Sequence, residues 1–65
     1  MMYEQIIGRI VKCVSRDGTR ITVTTGEFSE FSNEYKQILI KERGTNLPII
    51  IAINAIDKIE VIEDD

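Results

Sequence analysis

A run of β-branched residues that is apolar on both sides most limits what this chain can fold into. Three isoleucines follow Pro48 directly, within an apolar run of five residues at 49–53. Strand side chains alternate between faces, so the run divides into Ile49, Ile51 and Ile53 on one face and Ile50 and Ala52 on the other. Such a strand is either buried on both faces or packed against another subunit. Pro48 suits its first position.

The residues after this run predict a turn and a second strand. Asn54 and Asp57 are residue types whose side chains can form the local hydrogen bonds that favour turns. From residue 58 charged and apolar residues alternate again, with Ile59 and Val61 on one side. We therefore expect residues 48–62 to form a strand, a tight turn and a strand.

The length of the chain limits its stability. With 65 residues, residues 1–65 are expected to form one domain, and folding a chain of this size buries roughly 60% of its surface. A lone Cys13 cannot form an internal disulfide, and without histidine the chain lacks the usual ligands of a zinc site. We therefore expect neither a metal nor a cofactor. The extra stability is expected from a homo-oligomer.

The charge of the chain limits its partners. A formal net charge of −3 argues against general binding to nucleic acid or to anionic membranes. One basic cluster stands out in the first third of the chain, consisting of Arg9, Lys12, Arg16 and Arg20. The start of the chain lacks the pattern of a signal peptide, and no apolar run approaches the roughly 20 residues of a membrane helix. We therefore expect a cytoplasmic protein that does not enter membranes.

The first half of the chain predicts a hairpin. Residues 1–5 are expected to be a lead-in, residues 6–15 a strand bent at Gly8, and residues 20–25 a second strand whose Ile21 and Val23 point inward. A two-residue Asp17-Gly18 turn would pair Val14 with Ile21, whereas a three-residue loop would pair Cys13 with Ile21. We favour the three-residue loop because its apolar face does not bury a lysine.

Residues 26–33 are expected to be a connection whose Phe28 and Phe31 cover the ends of a core. For residues 34–43 two structures compete. A helix would give an α+β fold, with Asn33 as its N-cap and Gly44 as its C-cap. We favour a strand over residues 37–42 that pairs with residues 48–53, because a hairpin satisfies the backbone of so apolar a segment.

Chemistry-bearing residues are few. Without histidine the chain lacks the usual near-neutral acid-base group. Cys13 has no activating base nearby in the sequence, and the acidic residues Glu63, Asp64 and Asp65 are typical of a solvated tail. We expect no enzyme activity and no catalytic residue.

Five short strands in this arrangement resemble the small β-barrel shared by SH3-like and Sm-like proteins. The resemblance to the Sm-like family is carried by Arg16-Asp17-Gly18 and by residues 31–40 and 49–62. It implies an all-β, five-stranded SH3-like or Sm-like barrel that assembles into rings through a strand edge. The RNA-reading loop of the family has no match at residues 32–37, and Asn54-Ala55 stands where the family has Arg-Gly. The resemblance therefore implies assembly more directly than RNA binding.

Two functions follow as hypotheses. The first is a non-catalytic small-barrel interaction module that self-assembles and binds a protein partner, with an oligomer interface at Ile49, Ile50, Ile51 and Ile53. The alternative is an Sm-like protein that binds RNA or single-stranded nucleic acid. Its candidate contacts are Arg9, Lys12, Arg16, Arg20, Phe28, Phe31 and Tyr35.

Overall fold

The computed structural model describes residues 3–63, and the side chains of residues 3–62. The elements are a 3-10 helix Tyr3–Ile6, β1 Ile10–Asp17, β2 Arg20–Ser32, β3 Gln37–Glu42, β4 Pro48–Ala52, a 3-10 helix Ile53–Ala55 and β5 Ile56–Glu63. All strand pairs are antiparallel, in the order β4-β3-β2-β1-β5 across one sheet. The all-β prediction is confirmed. Within residues 3–63 no pairing joins β4 to β5, so the sheet is not closed.

The β3–β4 hairpin forms as predicted. Residues 37–42 form a strand, Ile38 pairs with Ile51, and Ile40 pairs with Ile49. Pro48 occupies the first position of β4, where a missing donor does no harm. The α+β alternative, with a helix at 34–43, is wrong, because Ile38 and Ile40 lie on one face of a strand and pair with Ile51 and Ile49 across the hairpin.

The core lies on one face of the sheet. Its buried apolar side chains are Val11, Cys13, Phe28, Ile38, Ile40 and Ile51. The half-buried Ile49 and Ile53 pack against this cluster from the β4 side, and Ile56 and Ile59 pack against it from β5. Since both edge strands contribute to one cluster, the sheet curls around its own apolar face.

Both registers predicted for the first hairpin are wrong. Val14 pairs with Val23, and the two-residue loop is Gly18-Thr19. Gly18 has a φ of 66°, the positive value that suits the first position of a type II′ turn. This register turns Ile21 and Val23 outward, where their exposed fractions are 54% and 55%. They do not point inward as the sequence suggested.

The connection predicted at residues 26–33 is instead the second half of β2. Phe28 pairs with Ile40 and is fully buried. A bulge between Phe28 and Glu30 adds one residue to β2, so that Phe31 also packs against the core. The ring of Tyr3 stacks on Phe28 at 6.1 Å between centroids and contacts Phe31 at 5.2 Å. Phe28 is therefore part of the core, and Tyr3 covers it.

The strand predicted at residues 6–15 begins later than expected. β1 starts at Ile10, because the 3-10 helix ends at Ile6 and Gly8 takes a positive φ of 92°. The bent segment is hydrogen-bonded to β2, since the Gly8 N–H donates to the Phe28 C=O at 2.8 Å. The predicted bend at Gly8 thus separates the lead-in from the strand.

Gly26 allows β2 and β3 to approach closely. A Cβ at this position would collide with the Lys41 carbonyl oxygen and would lie 2.9 Å from Glu42 Cα. Neither group is at the end of a flexible side chain, so the backbone itself would have to move. The glycine is therefore required for strand packing and not for a turn.

We expect Gly26→Ala to lower the free energy of unfolding by about 2–3 kcal/mol, because the added methyl overpacks two strands. The total free energy of unfolding of a chain of this length is about 3–10 kcal/mol. Urea unfolding followed by far-ultraviolet circular dichroism measures the change. The neighbouring Thr25→Ala is the control, with an expected loss under about 1 kcal/mol. Equal losses for the two variants would contradict the close-approach explanation.

Candidate interaction surfaces

The four isoleucines of the predicted oligomer interface have different environments. Ile51 is buried, Ile49 and Ile53 are half-buried against the core, and only Ile50 is largely exposed, at 59%. Strand alternation explains the split, since Ile50 points away from the face that holds the core. Ile50 is thus the one of the four whose side chain is mainly available to a partner.

The backbone of β4 has one paired side and one unpaired side. Glu42 N–H donates to Leu47 C=O, and Ile53 N–H donates to Lys36 C=O, each at 2.9 Å. In an antiparallel ladder every second residue bonds to the same neighbour, so the odd-numbered residues of β4 bond to β3. The peptide groups of Ile50 therefore point outward, as do those of the other even-numbered residues, Pro48 and Ala52.

The two edges of the sheet differ in their protection. β4 carries no charge from Pro48 to Ala52, and its pairing with β3 has no register shift. β5 carries Asp57, Lys58 and Glu60, and its pairing with β1 is interrupted by two register shifts. Charges and bulges are the usual means of preventing edge-to-edge pairing. Of the two edges, β4 is the one open to another strand.

A second exposed apolar group lies on the outer face of the β1–β2 hairpin. Val14 and Val23 pair directly, and Ile21 is next to Val23 on the same face of β2. We call these three residues the hairpin patch. The sequence pattern predicted Ile21 and Val23 to point inward, so this patch was not predicted; its only sequence signal is the spacing of the two residues from Gly18.

The predicted basic cluster does not form a continuous positive face. Arg16 Nη2 lies 2.9 Å from Asp57 Oδ2, and its Nε donates to the same oxygen at 3.1 Å. Lys12 stands opposite Glu60 in the β1–β5 ladder. Strand pairing thus brings acidic residues next to these cations, which lowers the local positive charge.

The remaining basic positions are also separate. Arg20 stands opposite Asp17 at the end of the β1–β2 ladder. Arg9 precedes β1 and is half-buried. The structure therefore places Lys12, Arg16 and Arg20 beside acidic residues along the hairpin, and Arg9 before it.

The three predicted stacking aromatics are likewise dispersed. Phe28 is fully buried and Phe31 is half-buried against the core, whereas Tyr35 is 71% exposed in the connection between β2 and β3. A buried ring has no face free for a base. The structure does not place the three rings on one platform.

The outer face also holds one shallow depression near β4. Its volume is about 50 Å³, and its lining residues are Glu30, Ser32, Gln37, Ile38, Leu39 and Ile50. Small-molecule pockets typically measure roughly 300–1,000 Å³. Among the side chains of residues 3–62, no group of three or more cysteines and carboxylates is placed to hold a metal ion. Asp64 and Asp65 lie outside the described residues.

Neither a membrane-spanning helix among the described residues nor a similarity to known proteins points to a function. Over the described part of the chain, no helix has the length and hydropathy needed to cross a membrane. No protein-family model matches the chain, and neither does a curated protein or a solved structure. The geometry of the β4 edge and of the hairpin patch is therefore what bears on function.

Cys13 is a core residue in this structure. It is fully buried between Thr24 on β2 and Ile59 on β5, its ladder partners. Burial raises the pKa of the Cys13 thiol from 9.0 to about 11. The thiolate is the reactive form of cysteine, and at pH 8 only about one thiol in a thousand would be ionised.

We expect native Cys13 to resist alkylation by iodoacetamide at pH 8 and to react fully in urea. An exposed reference thiol introduced by Thr22→Cys is expected to react at least a hundredfold faster in the native protein, because it is solvated. Mass spectrometry of timed samples measures both rates. Comparable native rates at Cys13 and at the introduced thiol would contradict the buried position.

Proposed function

We propose that this chain is a non-catalytic interaction module that assembles with copies of itself and binds a protein partner. The observation that carries the proposal is the β4 edge, which is uncharged, regular and unpaired among residues 3–63. An exposed edge of this kind promotes aggregation unless another strand covers it. Assembly would also add the buried area that a chain of 65 residues needs.

The proposal includes a small SH3-like or Sm-like barrel as the finer description of the sheet. Residues from both edge strands pack into one apolar cluster, which supports a strongly curled sheet. The bulges in β2 and β5 also support it, because bulges bend strands at barrel corners. The short 3-10 helix Ile53–Ala55 connects the two edge strands directly.

The hairpin patch supports the second half of the proposal. It is uncharged, with Ile21 and Val23 exposed and Val14 half-buried. It lies on β2 and β1, which are two and three strands away from β4 in the sheet. A module that uses β4 for assembly would leave the patch accessible to a protein partner. A cytoplasmic location belongs to the same proposal, supported by the free thiol of Cys13.

Nucleic-acid binding has less support as an alternative function. Acidic residues neighbour the strand cations, and Phe28 is buried. The affinity of proteins for nucleic acid depends on phosphate contacts from cations that are not already paired.

We expect light scattering after size exclusion to give a mass of at least twice 7.4 kDa at micromolar concentration. The physical reason is the unpaired edge, whose donors would otherwise be left to water. A mass of 7.4 kDa at every concentration up to about a hundred times higher would contradict self-assembly.

A parallel titration separates the two functions. We expect fluorescence anisotropy of a labelled single-stranded RNA to remain unchanged at low salt when the protein is added. A rise in anisotropy that disappears with added salt would instead support the nucleic-acid alternative.

A further inference from the structure

The outward peptide groups of β4 suggest a specific partner. Because the odd-numbered residues bond to β3, the free donors on this edge are the N–H groups of Ile50 and Ala52. Pro48 has no N–H, so it supplies only an acceptor. The edge therefore presents two donors near its end and an acceptor without a donor at its beginning.

We propose that β4 pairs antiparallel with β4 of a second copy of this chain, around a two-fold axis at Ile50. The pairing would join two five-stranded sheets into one of ten strands. This inference rests on the self-assembly proposed above and adds the surface, the symmetry and the register.

The hydrogen bonds of β4 are complementary to themselves in this register. Ile50 N–H donates to Ile50 C=O of the second copy, and Ala52 N–H donates to Pro48 C=O. The two-fold axis repeats both bonds, so all four outward donors of the two edges are used. Pro48 then faces Ala52 of the second copy. Because proline has no N–H, only the bond from Pro48 to the Ala52 C=O is missing, and it would lie at the end of the ladder.

The same register also buries exposed apolar side chains. Ile50, which is 59% exposed, would lie next to Ile50 of the second copy on the outer face. Leu47, also 59% exposed, would stand opposite the half-buried Ile53. Cross-strand apolar pairs contribute roughly 0.2–1 kcal/mol each to a sheet. On the core side Ile49 would face Ile51, which extends the apolar cluster across the axis.

Charge and shape favour a second copy of β4 over the β5 edge of another copy. An uncharged β4 has no complement for Asp57, Lys58 and Glu60 of β5. The register shifts in β5 also bend it away from a flat partner, whereas two β4 strands have equal length and no shift. A two-fold pairing closes after two copies, and the protected β5 strands remain at the outer edges.

Substitutions at Ile50 test the surface. Ile50→Lys places a charge on the axis, and Ile50→Pro removes the outward N–H without removing a bond to β3. The matched control is Ile21→Lys on the hairpin patch, which changes an equally exposed isoleucine on the outer face. Light scattering and sedimentation measure the dimer constant, and circular dichroism checks that each variant is folded.

We expect both Ile50 variants to weaken dimerisation at least tenfold and Ile21→Lys to change it less than twofold. If Ile50→Pro does not fold, Ile50→Lys decides the result. An oligomeric wild type whose mass is unchanged by Ile50→Lys would overturn the edge pairing while self-assembly stands. A wild type that is monomeric throughout would overturn both proposals.

Cysteine cross-linking tests the register. Directly paired residues have Cα atoms about 5.5 Å apart, within the range of a disulfide, so Ile50→Cys is expected to cross-link to itself under mild oxidation. Ala52→Cys would lie about 13 Å from its copy, four residues along the ladder, and is expected to cross-link at least tenfold more slowly. The buried Cys13 is expected to leave the wild type uncross-linked. Equal or faster cross-linking of Ala52→Cys would overturn the two-fold axis at Ile50.

Discussion

The register of the β3–β4 hairpin is the interaction on which the rest of the structure depends. It pairs Ile38 with Ile51 and Ile40 with Ile49, which brings four isoleucines to the core side of two strands. The same register directs the backbone of every odd-numbered residue of β4 toward β3. The outward backbone groups of Ile50 and the exposure of its side chain are therefore consequences of one pairing. A shift of one residue would exchange the two faces and bury the residue that is now exposed.

The elements that could be predicted from the sequence are those in which one signal dominates. Residues 37–42 and 48–53 both contain short, isoleucine-rich apolar runs, and a hairpin between them is the simplest way to satisfy their backbone. In β5, Ile59 and Val61 lie on one side of the strand, as their alternation predicted, and the structure pairs them with Cys13 and Val11. In these strands the hydrophobic pattern predicts the strand itself, but in β4, which is apolar on both faces, it does not show which face is buried.

The first hairpin could not be predicted because its register depends on one glycine. The two predicted registers rested on an Asp17-Gly18 turn or on a three-residue loop. In the structure Gly18 is the first residue of a two-residue loop, which moves every pair along β1 and β2. Gly26 is a second ambiguous residue. It was placed at the start of a connection, whereas in the structure its missing side chain lets β3 approach β2. A single sequence does not distinguish these uses, because both require glycine and only the tertiary structure selects one.

The candidate surfaces were predictable to a similar extent. The apolar run predicted an interface at β4, but only the pairing of β4 with β3 separates the exposed Ile50 from the isoleucines that face the core. The basic cluster could not be assessed from the sequence for the same reason. The acidic residues that pair with Lys12 and Arg20 are Glu60 of β5 and Asp17 at the end of the hairpin, and only the strand pairing brings them together.

Edge pairing and stability are linked in so small a protein. A partner that binds only the folded state adds to the free energy of unfolding in proportion to the logarithm of its concentration. For this chain the core lies on one face of one sheet, so little further area can be buried within a single copy. In the proposed edge pairing, the uncharged β4 edge would obtain stability from a second copy. Charge on β4 would protect a solitary chain from aggregation, but it would also remove that contribution.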